Sequence, residues 1–137
     1  MNTFSSKSLK HLRTCDKRLQ LVAHEALRVF DFSVIEGARS HERQKQMYDE
    51  GNAITMNSMH LRKNTCSKSR AFDLLPYPFS PQDWYNREKF AIFAGVILGI
   101  AFQLEVPLIW GGDWNRTFNP KETQFYDAMH FQLDEHF

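Results

Sequence analysis

The sequence predicts an α+β fold in which a small, largely antiparallel sheet is packed with helices, and three observations carry that prediction. A helical apolar pattern comes early in the chain, four short strand-like segments follow, and one long apolar helical stretch separates the second strand from the third. No repeat, low-complexity tract or linker interrupts the 137 residues, so one domain over 1–137 is expected.

Each element has its own local reason. Asp16 stands as an N-cap ahead of Leu19, Val22, Ala23, Ala26 and Leu27, which are spaced as one face of a helix ending near Phe30. "FSVIEGAR" reads as the first strand. Ser40 caps a polar helix through about Glu50, and Gly51 ends it. "RAFDLLPY" is the second strand, stopped by Pro76 and Pro78 because proline has no N–H to give to a ladder. A helix then runs from about Asn86 to Leu104. Its apolar centre, "FAIFAGVILGIAF", is shorter than the roughly 18 residues of a membrane span. It therefore reads as a buried helix, with Gly95 and Gly99 allowing close packing on the sheet. "PLIWGG" and "MHFQL" supply two further short strands.

Composition narrows the function. With 17 Lys+Arg against 16 Asp+Glu, the chain lacks the broad positive footprint of a nucleic-acid binder. Two cysteines, Cys15 and Cys66, are too few for a disulfide scaffold, and the start of the chain lacks the charged-then-apolar build of a secretion signal. Folding in a reducing cytoplasm, as a monomer with no membrane span, is the expectation.

Chemistry-bearing residues gather in two stretches. "MNSMHLRKNTCSKSRAFDLLPY" holds His60, Cys66 and Asp73, and "FYDAMHFQL" holds Asp127 and His130 three residues apart. A tight turn into a strand at His130 would aim an imidazole and a carboxylate into one cleft on the sheet. A catalytic zinc takes three protein ligands and keeps one position open. His60, Asp73 and His130 would complete that set, leaving Asp127 free to take a proton from water. Among the tryptophans, Trp110 is the one expected to line a substrate groove. Arg39, read from its neighbours alone, would pair with Glu36 or Glu42 on the surface.

Together these stretches resemble a known family: the zinc peptidases that group D-alanyl-D-alanine carboxypeptidases with phage endolysins of the L-alanyl-D-glutamate peptidase type, which share a fold with the hedgehog signalling domain. The likeness runs through "EGARSHERQKQMYDEG", "TMNSMHL", "RAFDLLPY", "WGGDW" and "YDAMHFQL". It implies that Ser58 and His60 open the first family segment and that Ala71 and Asp73 close it. It makes Asp127 the catalytic carboxylate, His130 a second histidine ligand and Arg39 a substrate contact, with Ser58 beside the substrate. It implies a Zn2+ enzyme that cuts the stem peptide of bacterial peptidoglycan at the L-alanyl-D-glutamate bond. Such an enzyme would be held in the host cytoplasm before lysis and would act on the wall once the membrane is breached.

One departure keeps two ligand readings open. His60 and Asp73 are thirteen positions apart where the family pattern has seven, and the family glycine between them is missing. Either residues 62–69 form an inserted loop behind His60, or the seven-residue spacing makes Cys66 the ligand in its place. At the level of function the alternatives are a D-alanyl-D-alanine carboxypeptidase and a catalytically silent zinc-bound wall-binding module.

Overall fold

The computed structural model of the chain describes residues 1–53, 58–61, 67–119, 121 and 125–135. Helices α1 (Ser6–Leu12) and α2 (Lys17–Leu27) lead into strand β1 (Phe32–Glu36), followed by helix α3 (His41–Asp49) and strand β2 (Ala71–Pro76). A 3₁₀ turn (Pro81–Tyr85) precedes helix α4 (Arg87–Gln103), and strands β3 (Leu108–Trp110) and β4 (His130–Leu133) complete the fold. The four strands form one sheet in the order β1-β2-β4-β3, and every pairing is antiparallel.

The predicted caps at Asp16 and Ser40 are present, and the helix expected from about Asn86 proves to be capped by Asn86 itself. Asp16 accepts from the Arg18 N–H at the start of α2, Ser40 from Arg43 at α3, and Asn86 from Lys89 at α4. Helix α2 stops short of Phe30 because its last turn tightens: the Arg28 and Val29 amides donate three residues back, to Glu25 and Ala26. Helix α1 was not expected from the sequence, although Ser5 caps it and its buried Leu12 packs in the core.

One face of the sheet carries the core. Phe32 and Val34 of β1, Phe72 and Leu74 of β2, Phe131 and Leu133 of β4, and Leu108 and Trp110 of β3 share that face by the period-two rule. The Phe93 ring on α4 meets Phe131 at 6.2 Å and Phe32 at 5.5 Å between centroids.

Packing of α4 departs from expectation. Its inward face is Phe90, Phe93, Ala94, Ile97 and Ala101, whereas Gly95 and Gly99 are exposed and a Cβ added at either would meet nothing within 4 Å. The glycines therefore do not bring the helix close to the sheet. They share the outward face with Ile92 and Phe102, which are 65% and 84% exposed. Because α4 is apolar all round, its sequence could not show which stripe meets the core.

Candidate active site

The other face of the sheet carries the polar cluster. Asp73 on β2 is the direct cross-strand partner of His130 on β4, so both side chains leave the sheet on the same side, opposite to Phe72 and Phe131. Ala71 faces Gln132 one step along, on that same side. A bulge in β1 extends the row. Val34 pairs with Leu74 but Glu36 pairs with Asp73, so one extra residue lies between them. Without that extra residue Glu36 would share the core side with Val34; the bulge turns it to the polar side.

His60 reaches the cluster from the short segment 58–61, whose four residues are all buried. Its carbonyl accepts from the Arg39 N–H at 2.8 Å, its own N–H donates to Ser58 Oγ at 3.1 Å, and its Nδ1–H donates to Gly37 O at 2.8 Å. That leaves Nε2 pointing at the cluster. His60 Nε2 lies 3.1 Å from His130 Nδ1 and 3.2 Å from Asp73 Oδ1, and His130 Nδ1 lies 3.3 Å from the same oxygen. Three buried donors of this kind, converging on one point, can hold a metal ion. Cys66 and most of the inserted loop lie outside the described residues.

Electrostatics are tuned around this point. Burial alone would raise the Asp73 carboxyl, but the charges and hydrogen bonds of His60 and His130 outweigh it and hold Asp73 well below the usual carboxylate range. Asp127 goes the other way. Burial and the nearby charge of Asp73 raise its carboxyl, against the opposing pull of His130, His60 and Arg39. The Asp127 carbonyl accepts from the His130 N–H at 3.2 Å, closing the turn that leads into β4.

A cavity of about 680 Å³ opens over the cluster, and Arg39, Ser58, His60, Asp73, Asp127 and His130 all line it. Arg39 is buried, not on the surface. Its Nε and Nη2 donate to the two oxygens of Glu36 at 2.8 and 2.7 Å, and its Nη1 donates to Gln44 Oε1 at 2.6 Å. Gln44 and Met47 of α3 back the site, while Tyr48 is exposed.

Trp110 does not line the cavity. It sits opposite Phe131 on the core side of the sheet, and its Nε1–H donates to Ala128 O at 2.8 Å. Trp114 lines the cavity instead, its ring 5.4 Å from that of His130. Sequence reasoning also passed over Gln132 and Gly111, and named Glu36 only as a surface partner of Arg39. A Cβ on Gly111 would stand 2.3 Å from Asp127 O, so only glycine lets the Asp127 segment cross the end of β3. The signal for it was the "WGG" that closes the third strand.

A family model for phage L-alanyl-D-glutamate peptidases matches residues 1–134. The chain belongs to that family. It is 27% identical over 135 residues to the L-alanyl-D-glutamate peptidase of Escherichia phage T5, covering 95% of this chain and 96% of that one. Among solved structures it is similar to the Serratia marcescens L-Ala D-Glu endopeptidase ChiX, at 29% identity and a TM-score of 0.72, covering 97% of this chain and 90% of that one. The α+β fold expected from the sequence is thus the fold of a peptidase in this class. No helix among the described residues is long and apolar enough to cross a membrane.

Proposed function

We propose that this phage-family peptidase is a zinc endolysin that hydrolyses the L-alanyl-D-glutamate bond in the stem peptide of bacterial peptidoglycan. The observation that carries the reading is the mutual spacing of His60 Nε2, Asp73 Oδ1 and His130 Nδ1, with a fourth group, Asp127, in the same cavity but outside the donor set. Ligand bonds of about 2.0–2.1 Å at tetrahedral angles put donor atoms about 3.3 Å apart. The observed separations of 3.1, 3.2 and 3.3 Å match that edge. Two imidazoles and one carboxylate also suit zinc chemically. His60, Asp73 and His130 would hold zinc there, and it would supply a Lewis acid able to polarise the scissile carbonyl and acidify water.

The chain's own groups do the rest. Asp127, its carboxyl raised by burial, takes a proton from the attacking water on a carboxylate oxygen and returns it to the departing amine of D-glutamate. Arg39, clamped by Glu36 and Gln44, offers its remaining N–H groups to a carboxylate of the substrate. Ser58 holds the His60 backbone and borders the substrate. In this reading the protein is made in the host cytoplasm and meets peptidoglycan once the membrane is breached.

Mass spectrometry of digested peptidoglycan tests the proposal. New fragments with N-terminal D-glutamate are expected, together with their loss on chelation and return with zinc. Release of terminal D-alanine alone would replace the reading with that of a carboxypeptidase, and intact wall would leave only a binding module.

A further inference from the structure

The two histidines of the cluster are held by different means. His60 fixes its outer nitrogen on a main-chain carbonyl, Gly37 O, which no substitution at that site can remove. His130 turns its outer nitrogen, Nε2, to a side chain: Gln132 Oε1, at 2.8 Å. Gln132 stands two residues along β4 and therefore on the same side of the sheet, where its cross-strand neighbours are Ala71 on β2 and Ile109 on β3.

A neutral imidazole carries one N–H and one lone pair. His130 can give its Nδ1 lone pair to a metal only if the proton sits on Nε2, and an amide oxygen at hydrogen-bond distance selects that tautomer. The bond also fixes the plane of the ring, which Trp114 covers from one side.

We propose that Gln132 is a positioning residue, which holds His130 as the Nε2–H tautomer and so sets the affinity of the centre for zinc. This rests on the zinc reading given above. Gln132 is a neutral acceptor, so it orients the ring without adding a second negative charge behind it. A carboxylate in the same place would make the imidazole a stronger donor and the bound metal a weaker Lewis acid.

Chelator-competition titrations with zinc on the wild type, Gln132→Met and Gln132→Glu separate these effects. Methionine has similar length and no comparable acceptor, so zinc should bind about 10–100-fold more weakly, the usual scale for loss of such a partner. Glutamate restores the acceptor, and zinc affinity should return to the wild-type level or exceed it while hydrolysis stays slower. Nitrogen-15 spectra of the histidine rings in the zinc-loaded wild type should show His130 protonated at Nε2. Metal-free melting temperatures of all three proteins should agree, which separates orientation of the ring from support of the fold. Wild-type zinc affinity in Gln132→Met, or an equal fall in Gln132→Glu, would overturn the assignment. Wild-type protein that takes up no zinc would instead overturn the metal reading beneath it.

Discussion

The two faces of one sheet differ in almost every physical respect while sharing the same strands. On β2 and β4, Phe72, Leu74, Phe131 and Leu133 are fully buried among apolar neighbours, and one residue away Asp73 and His130 are almost as buried among polar ones. Burial of the first set stabilises the fold. Burial of the second costs desolvation, which hydrogen bonds and opposite charge offset, and it yields a site whose groups titrate away from their solution values. A strand period of two is thus enough to put stability and chemistry side by side, and register decides which residue does which.

Variants on the two faces should fail in different ways. The largest effect is expected on the polar face: His60→Ala removes one of three donors, so zinc binding and wall hydrolysis should both be lost while the metal-free chain stays folded. On the proposed ligand set of His60, Asp73 and His130, Cys66→Ser should keep both. Metal analysis and a wall-clearing assay check the pair, and full zinc in His60→Ala with none in Cys66→Ser would break the comparison.

On the apolar face, Phe131→Ala should cost about 3–5 kcal/mol of unfolding free energy, the range for truncating a buried phenylalanine. Denaturant melts measure it. The fraction that remains folded should still take up zinc, since only the opposite face has been touched.

Gly111→Ala lies between the faces, at the edge where Asp127 crosses β3. The new methyl meets main chain, so the Asp127 segment must shift, with a stability cost of about 1–3 kcal/mol. Hydrolysis should fall while zinc is kept, which separate metal and rate measurements would show.

Away from both faces the effects are small. Asp16→Ala removes the cap of α2 and should cost about 0.5–2 kcal/mol at neutral pH. The Arg18 hydrogen bond holds the Asp16 carboxyl below its ordinary value in the folded state. Stability from such a group is present above the unfolded pKa and is lost as pH falls through the folded one, so the penalty should shrink in acid. Cys15 provides a thiol control: burial pushes it up to about 12, so in native protein it should resist alkylation at neutral pH.

Much of this arrangement was legible in the residues. The caps at Asp16 and Ser40, the four strands and the two chemistry-bearing stretches could be read because each depends on local spacing. The polar face was harder, because it depends on parity across strands. Trp110 and His130 both lie at strand positions near the site, but pairing with Phe131 sends the tryptophan to the core. The β1 bulge that turns Glu36 toward Arg39 leaves no mark in "FSVIEGAR", since an extra residue shows only against a partner strand. Gln132 shares the parity of His130 and could have been found by counting. The outward glycines of α4 could not, because every face of that helix is apolar enough to be the buried one.

The central claim is that this register separates metal ligands from the proton acceptor, with Asp127 in the cavity but outside the donor set. Its most direct test is the rate of stem-peptide hydrolysis by Asp127→Ala at measured zinc occupancy. The account predicts one zinc per chain, as in the wild type, and a rate lower by about 100-fold or more, the scale of a positioned general base. Zinc lost together with activity would make Asp127 a ligand, and an undiminished rate at full occupancy would remove it from the chemistry.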